Sequence, residues 1–106
     1  MRTRTVRKSK TTRFLEGLTG GPLTLGRLVA AIRLGEEAGL AEFAKTLGIS
    51  KSHLCDIEKG RKPVSATKAA EMACILGYDE KQFVQLAVQD SLRRAGLNYD
   101  VKIEAA

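Results

Sequence analysis

The sequence predicts an all-α fold of five helices that ends in a short β-strand. Three observations carry this expectation. Apolar residues recur at three- and four-residue spacing through five consecutive stretches between Leu25 and Ala95. Most of these stretches open on Thr, Ser or Asp and close on Gly, the residue types that satisfy the free backbone groups at helix ends. After Gly96 the apolar period falls to two, the repeat of a strand.

Thr24 is placed to cap the first helix, in which Leu25, Leu28, Val29 and Ile32 lie at i, i+3, i+4 and i+7 and make one face. Gly39 is expected to end it. A second, short helix buries Leu40, Phe43, Ala44 and Leu47, with Gly48 after its end. Ser50 caps a third, which turns Leu54 and Ile57 inward and stops at Gly60. Ser65 opens a fourth, with Ala69, Met72, Ala73 and Leu76 inward and Gly77 beyond it. Asp79 and Gln82 have the spacing of a capping box for a fifth helix that runs to about Ala95. In the closing segment LNYDVKIEAA, Tyr99, Val101 and Ile103 alternate with Asp100, Lys102 and Glu104. A lone strand leaves its backbone groups unpaired, so this one needs a partner.

The 106 residues give room for one domain with a modest core. With 43% hydrophobic and 28% charged residues the chain reads as a globular protein. No apolar run approaches the roughly 18 residues that a membrane span needs, and the N-terminus has no apolar signal region. Two cysteines, Cys55 and Cys74, and one histidine, His53, are too few for a zinc site of ordinary spacing. No metal or cofactor is expected, and both thiols are expected reduced.

The net charge of +6 is unevenly spread. Arg2, Arg4, Arg7, Lys8, Lys10 and Arg13 precede the first acid, Glu16, and the remaining twelve basic residues equal the twelve acidic ones. Within residues 44–68, Lys45, Lys51, Lys59, Arg61, Lys62 and Lys68 face only Asp56 and Glu58. Two basic concentrations imply a polyanionic partner. Residues 1–13 are so poor in apolar side chains that they are expected to be disordered when free. FLEGLTGGPL reads as a helical turn followed by a linker. The chain thus divides into a basic arm and turn over 1–22, a helical unit over 23–78, and a C-terminal helix and strand over 79–106.

Helices two and three share the tight connection LGIS, the layout of a helix-turn-helix unit whose second helix can enter a major groove about 12 Å wide. Leu47, Ile49, Leu54 and Ile57 would lock the pair together. Lys51, Ser52, Cys55 and Asp56 then face outward, with His53 at the edge. Residues 25–77, and above all FAKTLGIS followed by LCDIEKGRKP, resemble the lambda/434-repressor type of helix-turn-helix domain, the Xre or Cro/C1 family. The longer layout, with its C-terminal helix and strand, is more loosely similar to antitoxins of the HigA kind.

The resemblance implies a lambda-repressor-like domain and assigns roles residue by residue. Lys51, Ser52 and Asp56 match its base-edge positions. Lys59, Arg61 and Lys62 match a phosphate-contacting loop, and Ser50 and His53 are assigned with them to the DNA backbone. Arg33 and Glu58 match an ion pair between helix one and the end of helix three. Leu40 departs from the pattern, since many relatives carry a glutamine there, and Gly39 replaces the usual Ser, Thr or Asn cap. The backbone N–H groups at this helix end remain available to a phosphate. Taken alone, Lys51 and Ser52 are ordinary exposed residues at a helix start. Asp56 either accepts from a cytosine amino group or pairs with Lys51 or Lys59.

A second apolar face of helix five, Val84, Val88, Leu92 and Ala95, lies roughly 120–140° from Phe83, Leu86 and Ala87. With Tyr99, Val101 and Ile103 it forms the expected interface of a homodimer; the competing reading is that the N-terminal FLEGL patch covers this face within one chain and leaves the tail frayed. The function these features imply is sequence-specific regulation of transcription, as a repressor bound to double-stranded DNA in the bacterial cytoplasm and nucleoid. The alternative is an antitoxin that represses its own operon and neutralises a toxin protein. An RNA-binding protein of the same fold is a third reading. No nucleophile–base pair, metal spacing or glycine phosphate loop points to an enzyme.

Overall fold

The computed structural model describes residues 2–5 and 23–106. They form β1 (Arg2–Thr5), α1 (Leu25–Gly35), α2 (Leu40–Leu47), α3 (Lys51–Glu58), α4 (Ala66–Leu76), α5 (Glu80–Arg94) and β2 (Val101–Glu104). The architecture is all-α, with a two-stranded antiparallel ribbon attached.

Local chemistry sets most helix ends. Thr24 Oγ1 accepts from Arg27 N at 3.1 Å, Ser50 Oγ from His53 N at 3.0 Å and Ser65 Oγ from Lys68 N at 3.1 Å. Two ends differ from expectation. Asp79 caps α5, but its Oδ1 accepts from Lys81 N at 3.1 Å, so the side chain closes on Lys81 rather than making the capping box with Gln82. Helix α1 stops at Gly35, four residues short of Gly39. The left-handed residue that turns the chain is Glu37, with φ 56°. Glu37 N donates to Leu34 O at 3.0 Å and Ala38 N to Arg33 O at 3.1 Å, the paired bonds of a Schellman turn. Gly39 is instead the N-cap of α2, without a side-chain capping bond.

The main core is drawn from all five helices. Leu25, Val29, Ile32, Phe43, Leu47, Leu54, Met72 and Phe83 are buried in it, with Ala44, Ala69 and Ala73 allowing close helix approach. Burial of a large aliphatic or aromatic side chain stabilises by about 1.5–3 kcal/mol each. Phe83, Leu86 and Ala87 are the α5 contribution.

The second face of α5 is covered within the same chain. Val84, Val101 and Ile103 are buried together, and Ala70, Val88 and Leu92 pack against them. For Val84, Val101 and Ile103 the cover expected from a second copy comes from within the chain, because β2 folds back onto α5, while Val88 and Leu92 are only partly buried. Ala95 and Tyr99 stay exposed, Tyr99 by 53%.

Strand β2 also has its backbone partner in the chain. It pairs antiparallel with β1 in the register Arg2↔Glu104, Thr3↔Ile103, Arg4↔Lys102 and Thr5↔Val101. The start of the arm, expected to be disordered, is thus a strand. Low apolar content gave the expectation of disorder, but ladder bonds join backbone groups and are indifferent to side-chain polarity. The rest of the arm, the FLEGL turn and the Gly20–Pro22 linker lie outside the described residues.

Two glutamines of α5 close the other edge of β2. Gln89 Oε1 accepts from Val101 N at 2.8 Å, and Gln85 Oε1 from Ile103 N at 3.1 Å. Gln89 Nε2 also donates to Tyr99 O. Spaced four residues apart on one helix face, they satisfy the strand's remaining donors as a third strand would.

Candidate nucleic-acid interface

The site is built on α2, the turn at residues 48–50, and α3. Gly48 takes φ 71°, and its left-handed turn lets Ile49 N reach Ala44 O at 3.0 Å. That bond folds the chain back sharply enough for α3 to pack on α2. Leu47, Leu54 and Ile57 are buried at the junction, with Ile49 partly so. At about 100° per residue, Lys51, Ser52, Cys55, Asp56 and Lys59 occupy an arc of roughly 140° opposite Leu54 and Ile57. Lys51, Ser52 and Lys59 are exposed, and Cys55 and Asp56 are partly exposed. The eight residues of α3 thus separate into an anchored inner face and a polar outer face.

The C-terminal end of α3 is held from three directions. Arg33 Nε donates to Glu58 Oε2 at 2.8 Å and Nη2 to Glu58 Oε1 at 3.0 Å, a two-pronged contact. Its Nη1 donates to Ala38 O at 3.0 Å, so one guanidinium ties α1, the α1–α2 turn and α3 together. The carboxylate holds the Arg33 proton more firmly than usual. Gly26 forms the second brace. A Cβ at this position would fall inside the Ile57 carbonyl oxygen, 3.1 Å from the Ile57 carbonyl carbon and 3.3 Å from Glu58 O. Only a glycine lets α1 sit directly on the α3 backbone. The third brace is Arg94 of α5, whose Nη2 donates to Gly60 O at 2.8 Å.

Asp90 connects α5 to the start of α1. Its Oδ2 accepts from Leu25 N at 3.0 Å and its Oδ1 from Arg93 Nη1 at 3.1 Å. Burial pushes the Asp90 carboxyl above the usual range and outweighs the opposing effect of those donors. Gly26, Asp90, Arg94, Gln85 and Gln89 were not singled out from sequence. A glycine inside a helical pattern was the one available signal, at Gly26. The others act across long sequence separations and carry no local signature.

The residues assigned to DNA from sequence lie on this surface in a particular arrangement. Lys51 and Ser52 project at the start of α3, and His53 sits half-buried at the flank. Ser50 has its hydroxyl engaged as the cap. Asp56 pairs with neither Lys51 nor Lys59. Its Oδ1 meets Arg61 Nε at 2.8 Å and its Oδ2 lies 3.8 Å from Lys62 Nζ. The Arg61 hydrogen bond holds the Asp56 carboxyl below the usual range and raises the Arg61 guanidinium in turn. Lys59 and Lys62 are exposed beside the end of α3. Among the described residues, no group of three His, Cys, Asp or Glu side chains is placed to hold a metal, and no helix is long and apolar enough to cross a membrane.

A helix whose inner face is core, whose outer face is polar and basic, and whose end is clamped by an arginine–glutamate pair defines a helix-turn-helix domain. The helix-turn-helix family HTH_3 matches residues 29–83, and the chain belongs to this DNA-binding family of Cro/C1 type. No curated protein and no solved structure matches the chain.

Proposed function

We propose that this protein is a transcriptional repressor that places α3 in the major groove of duplex DNA and recognises a specific sequence there. The observation that supports this best is the division of α3: Leu54 and Ile57 anchor it, while Lys51 and Ser52 project freely from its first turn. Lys51 and Ser52 meet base edges, and Lys59 and Lys62 meet phosphates, with Ser50 and His53 close to the backbone. The excess of basic residues around α3 steers the domain to the polyanion. Such a protein acts in the cytoplasm, on the nucleoid.

One α3 of eight residues is about 12 Å long and covers only a few base pairs. A site long enough to be specific therefore takes two copies on half-sites about 34–36 Å apart. The α5–β2 face is occupied within each chain, so the two copies meet elsewhere or on the DNA itself.

Selection of bound duplexes from random DNA with the purified protein gives the site. Lys51→Ala then weakens binding to the selected site by about 1–3 kcal/mol, and to scrambled DNA by much less. Absence of any selected motif, or equal loss on both DNAs, defeats the proposal.

A further inference from the structure

On the proposal that α3 reads duplex DNA, we infer that Arg61 is itself a base-reading side chain, directed at a guanine, and that Asp56 is the positioning residue that holds it there. By sequence, Arg61 lies beyond the reading helix and Asp56 lies on it. The local geometry argues for the opposite division. The chain turns at Gly60, with φ 74°, and Arg61 comes back along the helix. Arg61 N donates to Asp56 O at 2.8 Å, and Arg61 Nε donates to Asp56 Oδ1 at 2.8 Å. Its Nη2 lies 3.7 Å from Cys55 Sγ. Cys55 and Asp56 lie on the outer arc in the last turn of α3, so the guanidinium rests against the C-terminal part of the reading face.

The way Asp56 grips Arg61 is informative. The carboxylate takes Nε and leaves the terminal Nη1–Nη2 edge, which carries only the weak sulfur contact among the described residues. That edge is the fork that matches guanine O6 and N7. Asp56 is poorly placed to read a cytosine, because Oδ1 is engaged by Arg61 and Oδ2 faces Lys62. An ion pair this exposed, with the Arg61 side chain at 57% and Asp56 at 26%, contributes little to folding stability. Its consequence is orientation. An arginine already held in one geometry loses less side-chain freedom when it meets a base. A phosphate contact would need no such orientation, and the exposed Lys59 and Lys62 already supply cations beside it.

Duplex selection with the full chain and its variants tests this. The unmodified protein should select guanine at one position per half-site that Arg61→Lys no longer selects, although the charge is kept. The preference lost there should be about 5- to 150-fold. Asp56→Ala should weaken selection at that same position, and Asp56→Ala with Arg61→Ala should be no worse than Arg61→Ala alone. Circular dichroism on each variant checks that the surface changes leave the fold unaltered. If Arg61→Lys keeps the full motif, and Arg61→Ala weakens all sequences equally while reducing the salt slope by about 1, Arg61 is a phosphate contact and the inference is overturned. A change at a different position in Asp56→Ala overturns it too, because Asp56 then reads a base by itself. If the unmodified protein selects no motif, the DNA-reading proposal falls together with this one. A motif left intact by Arg61→Lys removes this one alone.

Discussion

Replacing Gly26 with alanine sets two effects of opposite sign against each other. In a helix interior the change stabilises by about 0.8–1.0 kcal/mol, because alanine is the better helix former, and in the first turn of α1 the gain is at most that. Here the new methyl would fall inside the Ile57 carbonyl oxygen, and it would lie 3.1 Å from the carbonyl carbon and 3.3 Å from Glu58 O. All three atoms are backbone, so no side chain can rotate out of the way. Helix α1 must move off α3, which also stretches the Arg33–Glu58 contact of 2.8 Å. Overpacking of this kind costs typically 1–3 kcal/mol and occasionally more. With the braced ion pair also disturbed, the cost lies at the upper end, and the net loss is about 2 kcal/mol. For a domain of this size that lowers the thermal midpoint by about 8–16 °C. Gly35 is the internal control, since it closes the same helix and a Cβ there meets nothing within 4 Å. Gly35→Ala should be neutral or stabilising by up to about 1 kcal/mol. Urea and thermal unfolding of the two variants give the comparison. If Gly26→Ala matched or exceeded Gly35→Ala in stability, α1 would not be seated on the α3 carbonyls and the reasoning would be wrong.

Glu58→Ala strands Arg33 in a contact whose side chains are only 15% and 9% exposed. Urea unfolding should show a loss of about 3–5 kcal/mol, and a loss under 1 kcal/mol would mean the pair is solvated in solution. Gln85→Ala and Gln89→Ala each leave a β2 donor without its partner, costing about 1–3 kcal/mol apiece. Amide exchange should speed at Ile103 in the first and Val101 in the second, and unchanged protection at both would remove the glutamines from the strand edge. The Asp56 carboxyl is lowered by Arg61. The small stability that this exposed pair gives is present above the unfolded-state aspartate range near 3.9 and is lost as pH falls through the lower folded value. In a carboxyl NMR titration the Asp56 midpoint should lie below that range and rise in Arg61→Ala. A midpoint that ignores the substitution would show that the pair does not form in solution.

Much of this protein is written locally. Thr24, Ser50, Ser65 and Asp79 each cap the helix that follows, and Leu47, Leu54 and Ile57 form the buried side of the turn between α2 and α3. Such features depend on residues a few positions apart, so periodicity and capping chemistry expose them. The separation of Lys51 and Ser52 from the core face of α3 was legible for the same reason. The end of α1 was less so, because a glutamate, not a glycine, takes the left-handed turn at residue 37. What required the tertiary structure acts between segments far apart in the chain. Backbone pairing places β1 on β2 across nearly the whole sequence, and Val84 is covered by Val101 and Ile103, with Val88 and Leu92 partly buried beside them. The helix pattern of α5 marked two apolar faces, but it held no information on what would cover the second. The return of Arg61 onto Asp56 follows from the backbone turn at Gly60, and the seating of α1 on Ile57 from the missing side chain at Gly26. Periodicity reports which side of an element is buried, and only the packed chain decides which atoms meet there.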